Sequence, residues 1–128
     1  MVDERNFTGI DEARLEMLVD VGRGTEFVSG LVRKFGASGG NLIVVLRDAL
    51  AAGDFDRTRD TAHALKGSAS DLGGTWLAEL CLRIEQMRNE ELQRRDATQL
   101  TREVLESFEL TQAAMADFLE QRTGSRGG

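Results

Sequence analysis

The sequence predicts an all-α protein, an antiparallel up-and-down four-helix bundle with a short additional N-terminal helix. Three observations predict it. The 128 residues contain no proline, so no helix loses a backbone donor to a pyrrolidine ring. Apolar residues recur at three- and four-residue spacing along most of the chain, which is the period of one helix face. Most of the fourteen glycines mark ends that cut the chain into helix-sized pieces.

The first helix is expected from about Asp11 to Asp20. Thr8 followed by Asp11 resembles a capping box, and Ile10, Leu15, Leu18 and Val19 form the apolar stripe. The second runs from about Thr25, a plausible N-cap, to Ala52. Its stripe passes through Phe27, Val28, Leu31, Val32 and Phe35, then Leu42, Val45, Leu46, Ala49 and Leu50. Gly36, Gly39 and Gly40 interrupt it, and glycine disfavours a helix interior. The stripe nevertheless keeps its register across them, and continuity is the expectation. The third helix runs from about Phe55 to Leu72, with Asp54 as N-cap and Gly73 as stop. The fourth runs from about Thr75 to Glu91 on Leu77, Leu80, Cys81, Ile84 and Met87. The fifth runs from about Ala97 to Arg122 on Leu100, Val104, Phe108, Thr111, Met115 and Phe118 or Leu119. Four long helices with short connections make one bundle over residues 8–122, with disordered tails at 1–7 and 123–128.

Composition narrows the function. With 41% hydrophobic and 30% charged residues the chain is globular. A net charge of −6 argues against nucleic acid or an anionic membrane surface as partner. The longest strongly apolar stretch, Leu42 to Leu46, is far short of a membrane span. The charged start, Met1-Val2-Asp3-Glu4-Arg5, has no signal-peptide pattern, so a cytoplasmic setting without direct membrane contact is expected. One cysteine and one histidine exclude an intrachain disulfide and a Cys/His zinc site within one chain. No metal and no cofactor are expected. No Gly-rich nucleotide loop of either common pattern is present. Cys81 sits on a core stripe and reads as a small apolar residue.

The third helix carries the informative residue. Thr58, Ala62, Leu65, Ala69 and Leu72 form its inner stripe. At about 100° per residue, His63 lies roughly 120° from the centre of that stripe and points to solvent or the rim. Its surface neighbours are Arg59 and Asp60 on one side, Lys66 and Gly67 on the other. A lone surface histidine reads first as an ordinary solvated residue. Gly67 needs a reason, because mid-helix glycine costs about 1 kcal/mol relative to alanine. An open imidazole, a bare patch beside it and an ammonium one turn away suit a phosphoryl group, which carries close to two negative charges. The residues alone leave both readings open.

The run His63-Ala64-Leu65-Lys66-Gly67-Ser68-Ala69-Ser70-Asp71-Leu72-Gly73 resembles the signature of histidine-containing phosphotransfer domains. That signature has lysine three and glycine four residues after the histidine, a small residue next, and Leu-Gly at nine and ten. Ala62, the Gly53-Asp54 turn, and Leu77, Leu80, Cys81 and Glu85 of the following helix fit as well. The resemblance implies a four-helix bundle that carries phosphate in a bacterial two-component phosphorelay. Carried over, His63 takes the phosphoryl group at Nε2, Lys66 stabilises its charge, Gly67 gives a partner access and Ser68 is a small supporting residue. Glu85 stands where some members carry glutamine, and it would hold the ring by its other nitrogen. Partners would be a response-regulator receiver domain or a sensor kinase, and the chain could be a domain of a hybrid sensor kinase. The receiver would supply the aspartate and the metal. Without an ATP motif the chain is expected to be a phosphocarrier rather than an enzyme, and a monomer rather than a dimer.

The partner surface would be an apolar rim, for which Ile10, Leu15, Leu18 and Phe27 are candidates, each also readable as core. Two rivals remain at this stage. One is a helical interaction bundle without transfer. The other is an enzyme with His63 as general base, which would need a concave pocket and a partner group.

Overall fold

The apolar stripes close into helices over nearly all of residues 9–127, which a computed structural model describes, with side chains given as far as Arg122. In chain order they are α1 (Glu12–Val21), α2 (Thr25–Ala52), α3 (Phe55–Asp71), α4 (Thr75–Glu85), α5 (Asn89–Arg94) and α6 (Ala97–Gly127). α2 packs on α3, α3 on α4, α4 on α6, and α6 back on α2. That closed ring is the four-helix bundle. The links at Gly53-Asp54 and 72–74 are too short for anything but antiparallel neighbours.

The core follows the sequence stripes. Ala62, Leu65 and Ala69 of α3 and Leu72 just after it meet Phe35 and Leu46 of α2, Leu77 and Ile84 of α4, and Leu100 and Val104 of α6 in one cluster. Burying one such leucine fully contributes about 1.5–3 kcal/mol. Cys81 is fully buried among them, and burial pushes its thiol up to about 12. Phe27, placed on the inner stripe by its spacing, is instead 47% exposed at the start of α2.

Helix starts differ from expectation in detail. Asp11 itself caps α1, accepting from the Arg14 N–H at 3.2 Å, while Thr8 lies outside the described residues. Gly24, not Thr25, precedes the first turn of α2. α6 runs past Arg122 to Gly127. The expected tail at 1–7 and the side chains of 123–128 lie outside the described residues.

Two features of the long helices have clear causes. α2 is unbroken through its glycines, and two of them, Gly36 and Gly39, are contact points with α6. A Cβ on Gly39 would lie 2.5 Å from Phe108 Cε1 and 3.0 Å from Cζ. The Phe108 ring is itself packed at 5.2 Å from the Phe35 ring. A Cβ on Gly36 would come 2.6 Å from Gln112 Nε2, whereas Gly40 faces open space. The propensity lost at Gly36 and Gly39 is offset by the close approach of two helices.

The expected fourth helix, in contrast, stops at Glu85 and restarts as α5. A straight helix at about 100° per residue would place Glu91 and Leu92 on opposite flanks of the Leu77, Cys81 and Ile84 stripe, about equally far from its centre. Extended backbone at Arg88 corrects this. Leu92 becomes buried, 2% exposed, and Glu91 leaves the core to accept from the Arg88 N–H at 3.2 Å.

α1 lies across the end of the bundle where α3 turns into α4. The Asp11 N–H donates to the Gly73 carbonyl at 2.6 Å, and the Trp76 N–H to that of Gly9 at 3.1 Å. Arg14 Nε donates to the Asp71 carbonyl at 3.0 Å. Gly73 has φ +78, the left-handed region that favours glycine, and a Cβ there would sit 2.9 Å from the Asp11 oxygen.

The α2–α6 packing gives a paired prediction. Gly39→Ala should destabilise the protein by about 1–3 kcal/mol through overpacking against Phe108. Gly40→Ala should stabilise it by up to about 1 kcal/mol. Denaturant titration of both variants checks the opposite signs.

Candidate functional site

The phase of α3 decides where His63 points. Gly53, at φ +71, turns the chain out of α2. Asp54 then caps α3, its carboxylate accepting from the Arg57 N–H at 3.2 Å. With Ala62, Leu65 and Ala69 turned inward, the His63 side chain emerges on the surface, 67% exposed.

Three polar side chains meet there. His63 Nδ1 lies 3.1 Å from both Glu85 Oε1 and Oε2. Lys66 Nζ donates to Glu85 Oε1 at 2.7 Å. Glu85 comes from the last turn of α4 and bridges two residues of α3. The Lys66 and Glu85 side chains are each about three-quarters buried, 24% and 28% exposed.

The hydrogen bond from Lys66 holds the Glu85 carboxyl below the usual carboxylate range; partial burial opposes the shift, and the bond to His63 adds to it. Glu85 is therefore ionised at neutral pH and can only accept. The neutral ring must then carry its proton on Nδ1 and donate it to Glu85. Its lone pair is left on Nε2, which has no hydrogen-bond partner among the described residues.

Gly67 follows one turn after His63, and a Cβ added to it meets nothing within 4 Å. The helix is bare at that point, and no packing within the bundle requires the glycine. Ser68 is not brought to the imidazole. Its hydroxyl donates to the Ala64 carbonyl of its own helix at 3.3 Å. It lines a groove of about 280 Å³ on the α1–α2 side, with Leu18, Leu31, Phe35 and Leu72 as apolar walls and Arg14, Lys34 and Asp71 at the edge. Of the four apolar rim candidates, Ile10 and Leu15 are core. Leu18 lines the groove, and Phe27 is exposed farther along α2.

One residue at the site went beyond sequence reasoning. Arg59, one turn before His63, donates from Nη1 to the Met87 carbonyl at 3.1 Å and from Nη2 to Asn89 Oδ1 at 2.7 Å. Its place beside His63 was visible in the helical spacing. The acceptors were not, because both belong to the unexpected α4–α5 bend.

The Hpt domain family matches residues 30–121, from early α2 to the end of the described side chains of α6. The match covers well over half of the chain, and the chain belongs to this family. The crystal structure of histidine-containing phosphotransfer protein B from Pseudomonas aeruginosa PAO1 has the same fold. Its TM-score is 0.74 at 25% sequence identity, over 88% of this chain and 96% of that one. No curated protein sequence matches significantly. The fold and family define a histidine phosphotransfer module of a phosphorelay. Members of this class carry phosphoryl groups rather than acting as kinases, and they interact with receiver domains and kinases.

The geometry predicts the titration of Glu85. Its carboxyl should titrate below the ordinary glutamate value of about 4.3, followed by the carbon-13 shift of its side chain. The stabilisation that Glu85 gives is fully present above the ordinary value and is lost as pH falls through the lowered one. Lys66→Met should move the midpoint upward. A midpoint unchanged by that substitution would show that Lys66 is not the dominant partner.

Proposed function

We propose that this chain stores a phosphoryl group on His63 Nε2 and exchanges it with an aspartate of a receiver domain. The observation that supports this most directly is the pairing of Nδ1 with Glu85, which leaves the Nε2 lone pair free on a side chain that is 67% exposed. In the loading step Nε2 attacks the phosphorus of an aspartyl phosphate. The N–P bond forms, the acyl O–P bond breaks, and the aspartate leaves with the electron pair. No proton has to leave Nε2. In the unloading step a receiver aspartate attacks, the N–P bond breaks, and a ring that keeps its Nδ1 proton departs as neutral imidazole. In-line transfer of this kind depends chiefly on positioning.

Roles follow for the neighbours. Lys66, already next to the ring through Glu85, supplies positive charge for the phosphoryl oxygens. Gly67 admits the partner's surface, and the groove beyond Ser68 extends the docking area toward α1. Ser68 supports this wall as a small residue and does not touch the ring. The enzyme reading with His63 as general base finds no support in the site, since the ring is 67% exposed on the surface of α3.

The proposal also includes a monomeric module whose bundle spans residues 8–122. It would work in the cytoplasm without direct membrane contact, need no cofactor or metal of its own, and lack an ATP site. We place it in a hybrid sensor kinase or beside one. No helix among the described residues is long and apolar enough to cross a membrane.

Incubation with a receiver domain phosphorylated by a small-molecule donor should transfer acid-labile label to the wild-type protein and none to His63→Gln. Label surviving in that variant would remove His63 from the role. Gly67→Ala should stabilise the free protein by about 1 kcal/mol while slowing transfer, and Gly67→Leu should slow it further. Thermal melting and transfer rate, measured side by side, separate the two effects.

A further inference from the structure

We propose that Arg59 is a positioning residue for phosphoryl transfer, fixing the end of α4 so that the Glu85 carboxylate stays against His63 Nδ1. The inference rests on reading His63 as the acceptor. Glu85 is the last residue of α4. At that position a helix has final carbonyls without intrahelical donors, and its end is prone to fray. A contact that must hold one ring nitrogen needs an anchor from outside the helix.

Arg59 provides it. Its side chain is 23% exposed and lies one turn before His63 on the same face of α3. Nη1 donates to the Met87 carbonyl at 3.1 Å, just beyond the Gln86 cap of α4. Nη2 donates to Asn89 Oδ1 at 2.7 Å, in the first residue of α5. One planar guanidinium therefore spans both sides of the bend that follows Glu85. Asp56 Oδ1 accepts from the same Nη2 at 2.9 Å and braces the fork from within α3. A lysine could not replace it, since a single ammonium cannot meet three acceptors in these fixed directions.

Arg59, His63 and Lys66 thus form successive rungs from α3 to the end of α4. The first reaches Met87 and Asn89, and the other two reach Glu85. Without the first rung Glu85 is held only by side chains that can follow it as it moves. The Nδ1 proton then loses its fixed acceptor and distributes over both ring nitrogens. Only the fraction with its lone pair on Nε2 can attack. The defect falls on the reacting ring and spares docking, because Arg59 is engaged with the α4–α5 bend rather than with the Gly67 side.

The test compares wild type with Arg59→Met, Arg59→Lys and Asn89→Ala. Nitrogen-15 shifts of the His63 ring in the free protein report the tautomer. Transfer from a phosphorylated receiver, followed against receiver concentration, reports rate and docking separately. In wild type the Nδ1–H tautomer should dominate. Both Arg59 variants should shift toward a mixture and lose roughly two- to fivefold in saturating transfer rate, in proportion to the reactive tautomer lost, with the half-saturating receiver concentration unchanged. Asn89→Ala, a change at an exposed residue, should move both readouts less and in the same direction. Wild-type tautomer populations in the Arg59 variants overturn the proposal, whether or not their melting temperature falls. If the Arg59 variants do not fold, a wild-type tautomer in Asn89→Ala overturns it. The tautomer is read without receiver, so failure of wild type to accept label would remove the acceptor role of His63 and leave the tautomer result standing.

Discussion

The Glu85 carboxylate accepts from His63 Nδ1 and from Lys66 Nζ at once, and the chemistry of the site follows from its having no proton to give. A neutral amide in its place could present either an oxygen or an NH₂ group to the ring. A carboxylate kept ionised by a neighbouring ammonium presents only acceptors. It thereby selects one tautomer of the imidazole and one nucleophilic nitrogen. The selection depends on distances of about 3 Å between two different helices, so the packing of α3 on α4 is part of the chemistry.

The remainder of the bundle keeps that packing in register. α2 buttresses α3 along its length and can do so as one uninterrupted element because Gly39 lets Phe108 of α6 sit against its backbone. α1 fastens the turn between α3 and α4 through the main chain at Gly9, Asp11 and Gly73. Arg59 closes the opposite end at the α4–α5 bend. The two helices that present the triad are thus tied together beyond each end of it.

Much of this was legible in the sequence, for physical reasons. The α3 stripe is regular, and a helix with a fixed inner face has a fixed outer face, so the exposure of His63 followed from counting residues. The continuity of α2 followed from retained register, although the reason for its glycines needed the partner helix. The break after Glu85 was hidden because Met87 continues the helical spacing of Leu77, Cys81 and Ile84 and still packs against the core. Only burial of Leu92 shows that the chain had to turn. Arg59 was out of reach for a related reason. Its acceptors lie 28 and 30 residues away, and one of them is a main-chain carbonyl that no side-chain pattern announces.

His63 stands two-thirds exposed on the surface of α3, with the smallest possible neighbour at Gly67. A single opening of this kind has no separate entrance and exit. Whatever delivers the phosphoryl group must vacate the same footprint before anything can collect it, so donor and acceptor exclude one another. The domain behaves as a turnstile rather than a corridor. Traffic through it is governed by how long each visitor stays, and a scarce or slow-leaving visitor sets the tempo of the whole relay.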